Sequence, residues 1–274
     1  MWTIQLLGGL TVSSGLRQVT RFRTQKAAAL LAYLAGHPMP QPRETLLAVF
    51  WPEVEPDVAR HNLSNALSFL RHLLEPPGVP PGTVVLADRA SVRLNPAAVT
   101  VDVLEFESEL GKAQADGLSE AERLALLLRA LERYRGVLLP GFYEEWVAPE
   151  ALRLESLFVQ TVVQVVPLLL QAGKREVALT YAQRAVSADP LSEEATRCLM
   201  QAFSASGQSG QALRAYRQLE TRLQEELDAR PSQSCNIWPS KWDRAVPLEP
   251  PRRLPRACHP LNKGSTCRLP IQIG

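Results

Sequence analysis

Residues Pro56 to Leu74, PDVARHNLSNALSFLRHLL, gather arginine, histidine, asparagine and serine at spacings that could read nucleic acid. Leu63, Leu67, Leu70 and Leu74 recur at intervals of four, three and four, one apolar stripe at helical period. At about 100° per residue, His61, Asn62, Asn65, Ser68 and His72 fall on the opposite side. Arg60 and Arg71 flank the stripe and can reach outward. The one acid in the span, Asp57, sits in the first turn, where the helix dipole favours it. Asn and Arg bond base edges in pairs, and Ser, His and Arg bond phosphates, so the outer side suits a major groove. The alternative is an amphipathic helix whose polar side simply faces water.

Such a helix needs neighbours that hold it outward. Thr3 to Leu7 and Leu10 to Val12 are short apolar runs broken by Gly8-Gly9, which predicts strands in a hairpin or small sheet. Thr24 to Ala35 predicts an alanine- and leucine-rich helix with Thr24 as N-cap. Ala28, Leu31 and Leu34 or Ala35 share one face, and Gly36 with Pro38 ends it. Pro42 suits the first turn of a short helix through Phe50, stopped by Trp51-Pro52. A short helix, a turn and a longer helix is the order of a helix-turn-helix. Downstream, Val84 to Leu86 and Ser91 to Leu94 flank Ala87-Asp88-Arg89-Ala90, a β-hairpin with a basic tip. Arg89 there either enters a minor groove or holds phosphate, or is a solvated turn residue.

The segments LLGGL, RTQKAAALLAYLA, LLAVFWPE, DVARHNLSNALSFLRHLLE and the hairpin ending in SVRLN resemble the winged-helix domain of OmpR-type response-regulator effectors over residues 1–96. They resemble more closely the version found in SARP-type bacterial activators. The resemblance implies that the second helix of the motif lies in the major groove and the hairpin touches the adjacent minor groove. Carried onto this sequence, Arg60, His61, Asn62, Asn65 and Ser68 would face the groove, and Arg71 and Arg93 would contact the backbone.

The second half carries a repeat. Gly173 and Gly207 lie 34 residues apart, as do the pairs Ala178-Leu179 and Ala212-Leu213. That period, with small residues at the turn, is the tetratricopeptide spacing, and each copy is a helical hairpin. Pro190 marks the exit from one copy. Val103 to Ala115, Ser119 to Tyr134 and Ala148 to Ala172 predict further helices. Ser119 with Glu122 forms a capping box, and Pro167 predicts a kink. Between them, Arg135 to Trp146 (RGVLLPGFYEEW) resembles the YRG…LLPGF…EWV signature of the bacterial transcriptional activator domain, which follows the winged helix directly in SARP-type regulators. The VDV at residues 101–103 fits the start of that domain. Phe142, Tyr143 and Trp146 are expected to pack as core beneath the repeats, with ligand contact as the other role.

The expected fold is therefore mainly α. A winged helix-turn-helix (α+β) domain over 1–96 precedes an all-α tetratricopeptide-like domain over 100–231, with a Pro/Cys-rich tail over 232–274. Charge is uneven. Residues 1–99 hold nine Lys/Arg and six Asp/Glu (+3), residues 100–231 fourteen and twenty (−6), and the tail seven and two (+5). A basic first domain beside an acidic second one fits DNA contact in one and protein contact in the other. The modest +3 predicts weak binding by a monomer at physiological salt, so two copies on repeated half-sites, a homodimer on DNA, would raise avidity. No apolar run reaches membrane-spanning length and no signal peptide opens the chain, so the expected compartment is the cytoplasm.

The tail has neither helical nor strand period and is expected to be disordered. Cys235, Cys258 and Cys267 with His259 follow no common zinc spacing, so no metal is expected. A basic tail on DNA and a frame-shifted terminus both fit its composition. Cys198 reads as a buried helix residue. No GxxxxGK[ST] loop occurs, and the histidines at 37, 61, 72 and 259 have no convergent nucleophile, so neither catalysis nor a cofactor is expected. The expected function is a sequence-specific DNA-binding activator. Its partners would be double-stranded DNA and, as the resemblance implies, RNA polymerase or a sigma factor. The alternative is a scaffold in which the repeats bind a protein or small ligand and the winged helix serves protein contact.

Overall fold

The computed structural model describes residues 1–232 and Cys235. Alternation at the start builds β1 (Trp2–Gln5), which buries Trp2 and Ile4 and leaves Thr3 exposed. It pairs antiparallel with β2 (Thr11–Ser14), which pairs with β3 (Arg17–Val19). On its other edge β1 pairs in parallel with β7 (Val99–Val101), so the sheet order is β3-β2-β1-β7. A strand about a hundred residues downstream therefore returns beside the first one.

Helix α1 (Gln25–Gly36) starts where the sequence predicts, and the Thr24 hydroxyl accepts the Ala27 N–H at 3.2 Å. Its burial differs from the one-faced helix expected. Every residue from Ala27 to Ala35 is buried, because five alanines make the helix slim enough to be covered all round. Next come the two-residue strand β4 (Gln41–Pro42), α2 (Arg43–Phe50) and α3 (Pro56–Leu74). Pro42 takes the N-cap rather than the first turn of α2. The hairpin of β5 (Val85–Ala87) and β6 (Ser91–Leu94) joins β4 in a sheet of order β4-β6-β5, which is the wing. The Trp2 indole N–H donates to the Leu74 carbonyl at 2.8 Å, tying the end of α3 to the first sheet.

The helical half is α4 (Asp102–Ala113), α5 (Glu120–Arg133), α6 (Val147–Gln171), α7 (Arg175–Ala188), α8 (Glu193–Ala205) and α9 (Ser209–Leu227). Ser119 and Glu122 form the reciprocal capping box at the start of α5. The repeat reading holds. Gly173 closes the α6–α7 hairpin and Gly207 the α8–α9 hairpin, both at φ +74°, a conformation that suits glycine. Ala178 and Ala212, one turn inside each second helix, are fully buried. Cys198 is buried in α8, and burial pushes its thiol up to about 11. Helix α6 runs unbroken through Pro167. Against expectation, α6 is long and apolar enough to cross a membrane. Here it packs against α5, α7 and α8, with Leu154, Phe158, Val162, Val165, Val166 and Leu169 buried.

The two halves are joined by backbone, not by side chains alone. Leu7 bridges Leu138, Gly8 N–H donates to the Val137 carbonyl at 2.9 Å, and Leu139 N–H donates to the Leu6 carbonyl at 2.9 Å. The LLGG turn and the RGVLLPG segment thus pair with each other. A Cβ at Gly136 would lie 3.3 Å from the Gly8 Cα, so this approach depends on small residues. Asp102, first residue of α4, is buried beneath the joint. Its carboxylate accepts the N–H groups of Leu6 (2.9 and 3.0 Å), Leu7 (2.9 Å) and Val103 (2.9 Å). Burial pushes the carboxyl above its ordinary value, against the lowering pull of those donors and of the Arg135 charge.

Candidate nucleic-acid interface

Helix α3 buries Ala59, Leu63, Leu67, Leu70 and Leu74, the predicted stripe with one alanine added. Burying four leucines contributes roughly 1.5–3 kcal/mol each, which fixes the rotation of the helix and so decides what faces out. His61, Ser64, Asn65, Ser68 and His72 are exposed, Asn62 and Arg71 are half-buried, and Arg60 is exposed. Ser64 was not singled out from the sequence, although helical spacing places it near Arg60. Its hydroxyl donates to the Arg60 carbonyl at 2.9 Å. The His72 ring donates from Nδ1 to the Ser68 carbonyl at 2.8 Å. The outer face also carries a carboxylate. Asp57 is 96% exposed and pairs with Arg60 at 2.7 Å.

The wing is held to α3 by Glu75, the residue just after the helix. Its carboxylate accepts Val84 N–H at 2.7 Å and Gly82 and Val85 N–H at 2.9 Å each. Desolvation raises its pKa, but the three backbone donors and the Arg71 charge outweigh it and hold the carboxyl below the usual range. At the wing tip, Asp88 accepts the N–H groups of Ala90 and Ser91 at 2.7 Å each. Arg43 at the start of α2 donates from Nε to the Asp88 carbonyl at 2.9 Å. The bonds to Ser91 and Ala90 hold the Asp88 carboxyl below its ordinary value. Arg89 is therefore presented from a braced turn. Arg43 escaped sequence reading because its relation to the wing is made by pairing across 45 residues.

Among the described residues, hollows border α3 on more than one side. One of about 810 Å³ brings together Arg60, Ser64, Arg43 and Arg89. One of about 430 Å³ brings Arg71 to Arg93 beside Ser91. A third, about 760 Å³, runs between α3 and the start of α1 and collects Asn62, Asn65, Ser68 and His72 opposite Arg23 and Lys26. The residues singled out from the sequence are thus distributed over both flanks of one helix.

Of the aromatics of the LLPGF segment, Phe142 packs against the core as expected, whereas Trp146 and Tyr143 are placed differently. Trp146 meets the Tyr33 ring of α1 edge-on, with centroids 5.3 Å apart, and Tyr33 stacks on His37 at 4.1 Å. Trp146 is thus part of the joint with the winged helix rather than core beneath the repeats. Tyr143 is 93% exposed and packs in no core, and Phe142 is half-buried. The expected tail begins docked. Ser232 N–H donates to the Glu193 carboxylate at 2.8 Å, and the buried Cys235 thiol meets the Glu193 carbonyl at 3.4 Å. The readings of Cys258, His259 and Cys267 lie outside the described residues.

Against known proteins, residues 101–236 match the family model of the Bacterial transcriptional activator domain. The transcriptional regulatory protein EmbR of Mycobacterium bovis and of Mycobacterium tuberculosis is 26% identical over 232 residues, covering 82% of this chain. The chain spans 59% of the length of these curated relatives. A solved structure of Mycobacterium tuberculosis EmbR in complex with a low affinity phosphopeptide superposes with a TM-score of 0.68 at 25% identity. That match covers 90% of this chain and 66% of the other. A winged helix running directly into a segment that matches the Bacterial transcriptional activator domain gives the chain the arrangement of SARP-type bacterial transcriptional regulators, which it resembles in both halves.

Proposed function

We propose that this protein is a sequence-specific DNA-binding regulator, most directly an activator that works by recruitment and not by catalysis. The observation that carries this reading is the polar outer face of α3, standing between hollows lined with arginine. In this reading Arg60, His61, Asn62, Asn65 and Ser68 face base edges in the major groove. Arg71 and Arg93 hold phosphates, and Arg89 reaches the neighbouring minor groove. Residues 1–96 would be the DNA-binding unit, and residues 100–231, with their acidic balance, would contact RNA polymerase, a sigma factor or a second protomer. The setting would be the bacterial cytoplasm, where promoter DNA lies.

The test is binding of the full chain to a duplex from upstream of its own coding sequence against a scrambled duplex, across about 50–200 mM salt. Preference for the upstream duplex that persists at the high end supports the reading. Equal and steeply salt-sensitive binding to both, or no binding, rejects it and leaves the repeats as the main interaction surface.

The Asp57–Arg60 pair gives a second expected result. Both side chains are largely exposed, so the pair itself stabilises little, yet it occupies a groove-facing arginine and brings a negative charge toward phosphate. Asp57→Asn should therefore tighten binding to the upstream duplex roughly two- to fivefold by the usual worth of an exposed pair. Weaker binding by this variant would mean that the pair positions Arg60 instead of restraining it.

A further inference from the structure

Resting on that reading, we infer that the groove between the start of α1 and α3 seats the second phosphate strand of the major groove, with Arg23 and Lys26 as its contacts. A helix in the major groove is about 10–12 Å across and the groove about 12 Å wide, so a phosphate strand runs along each flank. The flank bearing Arg60 and Ser64 faces the wing and α2, where Arg43 and Arg89 supply positive charge. The other flank has no wing.

What it has is the hollow of about 760 Å³ whose far wall is Arg23, Thr24, Lys26 and Ala27. The rotation of α3 agrees. Taking His61 as zero, Asn62 and Phe69 lie near 100° and 80°, and Arg60 and Arg71 near 260° and 280°, at about 100° per residue. The two sets thus occupy opposite shoulders of the exposed face. Arg23 and Lys26 are exposed, and among the described residues neither has an ion-pair partner. Two free cations opposite Asn65, Ser68 and His72 are suited to a polyanion lying along the groove. The track has an end. Lys26 also borders a hollow lined by Gly141, Tyr143 and Glu144, and the Glu144 carboxylate brings negative charge there. Phosphate contact therefore stops at Lys26.

Contacts of this kind carry charge without sequence, which defines the test. The full chain, the Arg23→Ala/Lys26→Ala double variant, the charge-keeping Arg23→Lys variant and a control Arg175→Ala on α7 are titrated on the upstream and scrambled duplexes across the salt series. Each phosphate contact contributes about 0.9 to the slope of log affinity against log salt. The double variant should flatten the slope by about 1.8 and weaken both duplexes about thirtyfold near 150 mM salt, leaving their ratio unchanged. Arg23→Lys should keep the slope, and Arg175→Ala should match the parent. A double variant with the parent's slope, folded by circular dichroism, overturns the inference while the parent's own preference for the upstream duplex leaves the DNA reading standing. A parent without that preference overturns both.

Discussion

Replacing Asp102 by alanine should lower the stability of the chain by about 3–5 kcal/mol, the largest effect expected of any single substitution considered for this protein. The carboxylate accepts three backbone donors from two halves of the chain: Leu6 and Leu7 beside β1, and Val103 in the first turn of α4. Alanine leaves all three N–H groups in a buried joint with no acceptor, and each orphaned group costs about 1–3 kcal/mol. Asn is only a partial remedy, because just one of its two amide atoms accepts: whichever way it turns, its NH2 faces either the Leu7 or the Val103 N–H. The neighbouring bonds from Gly8 to Val137 and from Leu139 to Leu6 should loosen in step, since they close the same joint. Denaturant titration measures the first effect, and amide exchange at Gly8 and Leu139 measures the second. A loss below about 1 kcal/mol would mean that water replaces the carboxylate and that the joint is not dry.

Acidity supplies a further check on the same residue. Burial raises the Asp102 pKa above its ordinary 3.8, so the folded state binds the proton more tightly than the unfolded chain does. Stability from this group is fully present below the unfolded value and is lost as pH rises through the folded one. The gap between parent and Asp102→Ala should therefore widen toward acid. A gap that narrows on acidification would show that the backbone donors, not burial, dominate the group.

The elements of this protein were far more legible in the sequence than the relations among them. Helix α3 is bounded as its leucine period predicts, and Ser119 with Glu122 caps α5 as their spacing predicts, because both depend on residues three or four apart. The repeat was readable from Gly173 and Gly207 because one turn geometry recurs. What stayed hidden is non-local. Nothing in VDV marks Asp102 as the acceptor for a turn 95 residues earlier, and nothing in LLGGL marks it as the partner of Val137 to Leu139. Trp146 looked like core of its own domain, yet its partner is Tyr33 on α1. The candidate interface divides the same way. The outward residues of α3 follow from helix arithmetic, whereas Arg23, Lys26 and Arg43 reach it only through tertiary placement.

Asn65→Ala should cost about 1–3 kcal/mol in binding to the preferred duplex, roughly 5- to 150-fold, while leaving scrambled DNA and the salt slope untouched. The asymmetry follows from position and chemistry together. Asn65 is exposed near the middle of the outward arc of α3, flanked by Ser64 and Ser68, and no hydrogen bond within the described residues occupies its amide. An amide so placed can donate and accept at once, which is how asparagine reads the N6 and N7 edge of adenine. It carries no charge with which to hold phosphate. Arg60 has a mixed profile: it shares the base-facing side, yet it is already paired with Asp57 and carries charge as well as donors, so its loss should also weaken every duplex. Titrating both variants on single-base-pair substitutions of the preferred site separates the two. If α3 reads bases, Asn65→Ala becomes indifferent to one base pair to which the parent is sensitive, and Arg60→Ala lowers the whole series. Parallel losses from both variants on every duplex would mean that α3 meets the DNA backbone without reading bases, and that the specificity of this regulator lies elsewhere.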